Sequence, residues 1–268
     1  MGPSGFQSQM ADFNGDGKQD LIVAGSGANA LGYRQGVGNG NFMPEQVLNA
    51  GSGLSAQGIV AVDYDGDGDM DLVAQEYVQS VANTGTITLY RNNGAASFTR
   101  VLLASGHPES YRVVAGDLNA DGRTDLVYGK ALSTVVYALQ QPNGELGGEV
   151  VLPVTFGSAQ GVLLGDMDND NDLDIVVSNR ANGVNAYFSV FSNDGNGVFS
   201  APQSKATGIF PTALQLVDMN GDGRLDVVTA ESVVGSRAGY YPQLANGTFG
   251  SRVVVLPTNT QLNSDQSR

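Results

Sequence analysis

The chain has no cysteine, no tryptophan and a single histidine, and its 13 basic residues face 27 acidic ones, a net charge of -14 over 268 residues. Without cysteine there are no disulfides, no thiol catalysis and no thiolate metal sites. The acidic balance argues against a nucleic-acid backbone or an anionic membrane surface as the main partner and favours cations. No apolar run reaches the ~18 residues of a membrane-spanning helix. The opening Met1-Gly2-Pro3-Ser4-Gly5-Phe6 has neither the basic start nor the apolar stretch of a secretory signal, and reads as the start of a mature or excised domain. Nor does any segment of ten or more residues hold a 3.6-residue apolar period, so no helix of consequence is expected.

What the chain does have is repetition. An acidic nonapeptide occurs five times: Asp12-Phe13-Asn14-Gly15-Asp16-Gly17-Lys18-Gln19-Asp20, Asp63-Tyr64-Asp65-Gly66-Asp67-Gly68-Asp69-Met70-Asp71, Asp117-Leu118-Asn119-Ala120-Asp121-Gly122-Arg123-Thr124-Asp125, Asp166-Met167-Asp168-Asn169-Asp170-Asn171-Asp172-Leu173-Asp174 and Asp218-Met219-Asn220-Gly221-Asp222-Gly223-Arg224-Leu225-Asp226. The first aspartates lie 51, 54, 49 and 52 residues apart, close to the length of a four-stranded propeller blade. Short β-branched and leucine-rich runs flank each nonapeptide, such as Ile59-Val60-Ala61-Val62 before and Leu72-Val73 after, so each loop joins two strands of a hairpin. Further on come an aromatic strand such as Thr86-Ile87-Thr88-Leu89-Tyr90, a Gly/Asn turn leading to Phe, as in Asn246-Gly247-Thr248-Phe249, and a fourth strand such as Thr99-Arg100-Val101-Leu102-Leu103. The repeating unit is four antiparallel strands.

Polar turns need one or two Asp or Asn for local reasons, but here 19 of the 21 aspartates sit in the five nonapeptides, fixed at positions 1, 5 and 9, with Asn or Asp at 3. So many like charges call for a counter-ion. Calcium, a hard cation that takes six to eight oxygens, fits a loop offering side chains at 1, 3, 5 and 9 and a carbonyl at 7, and magnesium comes second. Gly or Asn at position 6 suits a residue at positive φ. An EF-hand shares the opening but needs a Glu at position 12 and flanking helices. Position 12 here is Val23, Ala74, Tyr128, Val177 and Thr229.

From about residue 6 to 256 the loop, the Asp-Leu-Val type run after it and the Asn-Gly-x-Phe turn resemble the FG-GAP (VCBS-type) repeats, the calcium-loop blades also found in the integrin α propeller. The resemblance implies an all-β propeller of four-stranded antiparallel blades, a calcium in each loop and all loops on one face. Carried over by position, the ligands are the side chains of Asp12, Asn14, Asp16 and Asp20; Asp63, Asp65, Asp67 and Asp71; Asp117, Asn119, Asp121 and Asp125; Asp166, Asp168, Asp170 and Asp174; and Asp218, Asn220, Asp222 and Asp226. The carbonyls of Lys18, Asp69, Arg123, Asp172 and Arg224 complete the set of about five ions. It also implies a place outside the cytosol, extracellular or periplasmic, and a protein or glycan ligand.

Five blades are expected in one domain over 1–268, at about 6–52, 53–106, 107–156, 157–207 and 208–257, with a loose polar tail over 258–268. The family usually closes with six to eight. Closure of the five into a ring is the favoured expectation, since an open array exposes two sheet faces, although the first strand, Ser8-Gln9-Met10-Ala11, is more polar than its counterparts. On the face opposite the acidic loops the candidates for ligand contact are Glu76, Tyr77, His107, Glu109, Tyr111, Lys130, Arg180, Phe210 and Glu231. Most long polar loop residues are simply solvated, and His107, beside a proline, is expected to be exposed.

A glycosidase needs two carboxylates a short distance apart, and only eight remain outside the loops, Asp194, Asp265, Glu45, Glu76, Glu109, Glu145, Glu149 and Glu231. A lyase would have to use His107 with Tyr111 or an arginine. A lectin would have to stack sugars on tyrosine, and no repeated polar and aromatic motif stands outside the loops. A non-catalytic binding, adhesion or assembly module is the reading these residues support best, a lectin the alternative, and a polysaccharide lyase or glycosidase the reading they support least.

Overall fold

The computed structural model describes residues 5–25, 31–48, 53–78, 81, 83–107, 112–131, 134–154, 158–180, 186–207, 211–231 and 238–255. Among them there is no helix. The first sheet holds β1 (Gly5–Ala11), β2 (Asp20–Gly25), β3 (Leu31–Arg34) and β6 (Gln46–Val47), with β4 (Gly36–Gly38) and β5 (Asn41–Phe42) paired separately in the turn between β3 and β6. The second holds β7 (Ser55–Val62), β8 (Asp71–Tyr77), β9 (Gly85–Asn92) and β10 (Phe98–His107), and the third β11 (Val113–Gly116), β12 (Asp125–Ala131), β13 (Thr134–Ala138) and β14 (Val150–Leu152). The fourth holds β15 (Ser158–Gly165), β16 (Asp174–Arg180), β17 (Tyr187–Phe191) and β18 (Gln203–Ala206), and the fifth β19 (Pro211–Val217), β20 (Asp226–Glu231), β21 (Ala238–Tyr241) and β22 (Val253–Val254).

Each four-stranded sheet is an antiparallel meander in chain order, as the hairpin signals require. Among the described residues the count is six sheets rather than five, because β4 and β5 pair where the third to fifth units make a single bridge, Gln140 with Leu146, Asn193 with Phe199 and Gln243 with Phe249, and the second pairs Asn92 with Phe98 inside the β9–β10 ladder.

First strands of successive sheets run beside one another, β1 with β7, β7 with β11, β11 with β15 and β15 with β19. Because successive side chains on a strand point to opposite faces, a central sheet must be apolar on both. Leu72 and Val73, Leu126 and Val127, and Ile175, Val176 and Val177 are all fully buried. Their two faces feed different cores. Ile22, Ala24, Ile59, Leu72 and Tyr90 fill the space between the first and second sheets, and Val73, Leu89, Leu126 and Tyr128 that between the second and third. Val127, Tyr137, Ile175 and Phe191 join the third to the fourth, and Val176, Phe188, Val227 and Tyr241 the fourth to the fifth.

The expected ring closure is not met. Among the described residues no apolar cluster joins the fifth sheet to the first. On β2 only Ile22 and Ala24 are buried among the apolar side chains, while Leu21 and Val23, on the other face, remain half-buried. Ser8, and Arg34 paired with Glu45 at 3.2 Å, stand on that face beside the exposed Met10 and Val47. The tail over 258–268, expected to be loose, lies outside the described residues.

Candidate metal centres and the opposite face

Every acidic loop sits in the hairpin between the first two strands of its sheet, and its last aspartate opens the second strand. Asp20, Asp71, Asp125, Asp174 and Asp226 are fully buried. In each, one carboxylate oxygen accepts the backbone N–H of loop position 2, from Phe13, Tyr64, Leu118, Met167 and Met219 at 2.7–3.1 Å. The other accepts an N–H at the end of the third strand, from Gly36, Asn92, Gln140, Asn193 and Gln243 at 2.7–2.9 Å. One side chain therefore fastens the loop to the third strand.

The aspartate at position 1 folds the loop over itself. Asp12 accepts the N–H groups of Asp16 and Gly17, and Asp117, Asp166 and Asp218 bind the same two positions, while Asp63 takes Gly66 and Gly68. The expected positive φ at position 6 is present in all five, including Asn171 at 73°. Position 4 adopts it too, with Ala120 at 57° and Asn169 at 63° beside three glycines, a second reversal not foreseen from the sequence.

Asp63, Asp65 and Asp71 bring carboxylate oxygens to within 4.8 Å of one another, and so do Asp166, Asp168 and Asp174. These two loops are the ones with five aspartates and no basic residue. The other three carry Asn at position 3 and a cation at position 7, where Lys18 pairs with Asp16, Arg123 with Asp121 and Arg224 with Asp222. Arg123 and Arg224 also donate Nε to the carbonyls of Gln140 and Gln243. The loops thus alternate in type along the array. Asp69 and Asp172, at position 7 of the acidic type, lie against Gly94 and Gly195, where a Cβ would come within 2.5 Å of a carboxylate oxygen.

The donor set fits a hard divalent cation. It is all oxygen, and Asn119 Oδ1, at a ligand position of the third loop, is buried without a hydrogen-bond partner among the described residues. Burial, reinforced by the neighbouring loop carboxylates, pushes the carboxyls of Asp71 and Asp174 up to about 6 against the opposing backbone hydrogen bonds, and raises Asp125 as well. A bound cation would supply the missing positive charge and tie both hairpin strands to one centre.

Three of the candidates named for the opposite face, Glu76, Tyr77 and His107, are not the solvated loop residues the sequence suggests. Glu76, inside β8, is fully buried and accepts hydrogen bonds from Tyr90 Oη at 2.7 Å and Arg100 at 3.0 Å. Tyr77 is also buried and accepts from Gln57 Nε2 at 2.5 Å. His107 ends β10, buried rather than exposed, with Nε2 2.8 Å from Glu149 Oε1. Tyr128 donates to the same oxygen at 2.8 Å, and Lys130 pairs with Oε2. Glu149 is thus the centre of a polar cluster that its place near a turn did not reveal. Arg180 and Glu231 end β16 and β20, but their side chains lie outside the described residues, as do Glu109, Tyr111 and Phe210 altogether.

A row of four-stranded sheets, each with an Asp-rich loop in its first hairpin, defines a β-propeller-type repeat protein. The chain belongs to the FG-GAP-like repeat family, whose model matches residues 12–74, 79–128, 117–177 and 166–229. It is 28% identical over 160 residues to cartilage acidic protein 1 of Xenopus tropicalis and 25% identical to that of Mus musculus, in each case over 52% of this chain and 24% of the relative. The match therefore spans about a quarter of those proteins. Among solved structures, an Agrocybe aegerita lectin described as recognising non-reducing terminal N-acetylglucosamine shares the fold, with a TM-score of 0.62 and 21% identity, over 95% of this chain and 67% of that one. The N-terminal part of BBS1, in complex with ARL6, follows with a TM-score of 0.54 and 13% identity, over 94% and 83% of the two chains.

Proposed function

We propose that this chain is a calcium-stabilised, non-catalytic binding module of propeller type that works outside the cytosol. The observation that carries this is the commitment of nearly all the aspartates, 19 of 21, to five hairpin loops of one geometry. In this reading residues 6–52, 53–106, 107–156, 157–207 and 208–257 are five blades, and each loop holds one calcium through positions 1, 3, 5 and 9 and the carbonyl at 7. The carboxylates at 9 orient the third strand, those at 1 hold the loop closed, and the ion neutralises what remains.

Two of the carboxylates outside the loops, Glu76 and Glu149, are tied up in polar clusters with basic partners, which argues against a paired-carboxylate glycosidase. The face opposite the loops then serves protein or glycan recognition. The likeness to a lectin favours a glycan as the second, narrower reading, with tyrosine in place of tryptophan as the stacking group.

Metal counting together with thermal melts in calcium and in chelator tests the first part. Five ions and a large fall in Tm on chelation are expected, and a melt indifferent to chelator would sink the calcium role. A glycan array run beside a pull-down from native extract tests the second, with glycan hits alone favouring the lectin reading. Turnover of a polysaccharide by the purified chain would overturn the non-catalytic reading.

A further inference from the structure

Each of the four internal junctions is built from the same two parts. The apolar residue at loop position 2 is covered by the next sheet, leaving Phe13, Tyr64, Leu118 and Met167 no more than 2% exposed. Its carbonyl then accepts a side-chain amide from that next sheet: Asn92 to Phe13 at 2.6 Å, Gln140 to Tyr64 at 3.0 Å, Asn193 to Leu118 at 2.7 Å and Gln243 to Met167 at 2.5 Å. These amides are themselves buried.

The fifth sheet repeats the acceptor half alone. Met219 is 40% exposed, and among the described residues no donor reaches its carbonyl. On the same side Val228 and Tyr240 are half-buried, in register with Gln215 and Val253, both exposed, and Val217, two residues beyond Gln215, is exposed as well. This is the face that, one sheet earlier, carries Met167, Val176 and Val190 under the fifth sheet.

The first sheet lacks the donor half. Gly36 occupies the position of Asn92, Gln140, Asn193 and Gln243, since its N–H makes the same bond to the last loop aspartate. A Cβ there would lie 2.0 Å from the Gln19 carbonyl oxygen, so no side chain fits. Arg34, paired with Glu45, stands where the later sheets place Tyr90, Ala138, Phe191 and Tyr241 against their predecessor.

We propose that the outer face of the fifth sheet is a docking surface for a further repeat sheet of this same family, one that brings an Asn or Gln side chain to the Met219 carbonyl and an apolar face to Met219, Val228 and Tyr240. The first sheet of a second copy is the wrong partner, because it supplies no amide and presents an ion pair. This holds whatever ligand the array binds.

The test replaces residues 258–268 with a duplicate of residues 157–207, the unit that carries Asn193, and follows methionine oxidation by dilute peroxide with peptide mass spectrometry. In the unmodified chain Met219 oxidises much faster than Met167. In the extended chain its rate falls at least about tenfold, toward that of Met167, and Asn193→Gly in the appended copy alone restores part of the loss. Unchanged Met219 reactivity in the extended chain, whether the appended copy is folded or is released by mild proteolysis, overturns the proposal. So does sedimentation showing that the unmodified chain self-associates with Met219 protected, which would assign the face to a second copy.

Discussion

Nδ2 of Asn92 lies 2.6 Å from the carbonyl oxygen of Phe13 in the preceding sheet and 3.0 Å from that of Met70 in its own. One amide thereby joins the acidic loops of two successive sheets. Asn193 repeats the arrangement with Leu118 and Leu173 at 2.7 and 3.1 Å. Removing such a group strands buried carbonyls, which costs roughly 1–3 kcal/mol. Asn193→Ala is expected to lower unfolding stability by about that amount in a urea titration, whereas Asn196→Ala, in the exposed turn, changes it by under about 0.5 kcal/mol. Equal effects would remove the amide from its joining role.

The two loop types should bind cations unequally. Affinity in such loops rises with ligand charge, and loops 63–71 and 166–174 carry five carboxylates where the other three carry three and a basic residue. Calorimetric titration of the demetallated chain with calcium is expected to resolve two equivalents at least about tenfold tighter than the remaining three. The pair Asp65→Asn and Asp168→Asn should abolish that first phase. Five indistinguishable sites would contradict the distinction.

Glu149 makes a pH prediction. Burial works against its ionisation, but hydrogen bonds from Lys130 and Tyr128, with the His107 and Lys130 charges, win and hold its carboxyl below the ordinary value of 4.5. A carboxyl depressed on folding contributes stability that is complete above the unfolded value and fades as pH falls through the folded one. The stability gap between the wild type and Glu149→Gln, from denaturant midpoints, should narrow as pH falls below 4.5. A gap that widened over that acid range would reverse the assignment.

Gly195 and Gly144 have nearly the same φ, 76° and 81°, yet differ in surroundings. Open space surrounds Gly144, while a Cβ on Gly195 meets Asp172 at 2.5 Å. Alanine at 144 should cost the left-handed backbone penalty alone, about 1–2 kcal/mol. Alanine at 195 should cost more and weaken cation binding by the fourth loop, because the Asp172 side chain must move. Thermal melts of the two variants in calcium and in chelator compare them.

The loops and four-stranded units were legible because chemistry fixes their spacing. A cation loop leaves no freedom between positions 1 and 9, and the carboxylates announce it. The amides that join the sheets escaped notice because the distance from the last loop aspartate varies, from Asp125 to Gln140 and from Asp71 to Asn92, with the length of the second hairpin. No fixed spacing marks them. Glu76 and His107 looked like solvated loop residues because their partners, Arg100 and Glu149, lie 24 and 42 positions away and meet them only once the strands pair. Closure was misjudged for a related reason: whether a terminal sheet is covered depends on the character of one face, and Arg34 and Gly36 carry that information in single residues.

The alternation of loop types extends beyond the loops. The second and fourth units share the acidic loop, the Asn amide and even the tetrapeptide Ser55-Ala56-Gln57-Gly58, repeated as Ser158-Ala159-Gln160-Gly161 with a strand irregularity at the same point. The third and fifth share Arg at position 7 and a Gln amide. From the second unit to the fifth, adjacent units differ while alternate units agree, so the repeat there is a pair of unlike sheets about a hundred residues long.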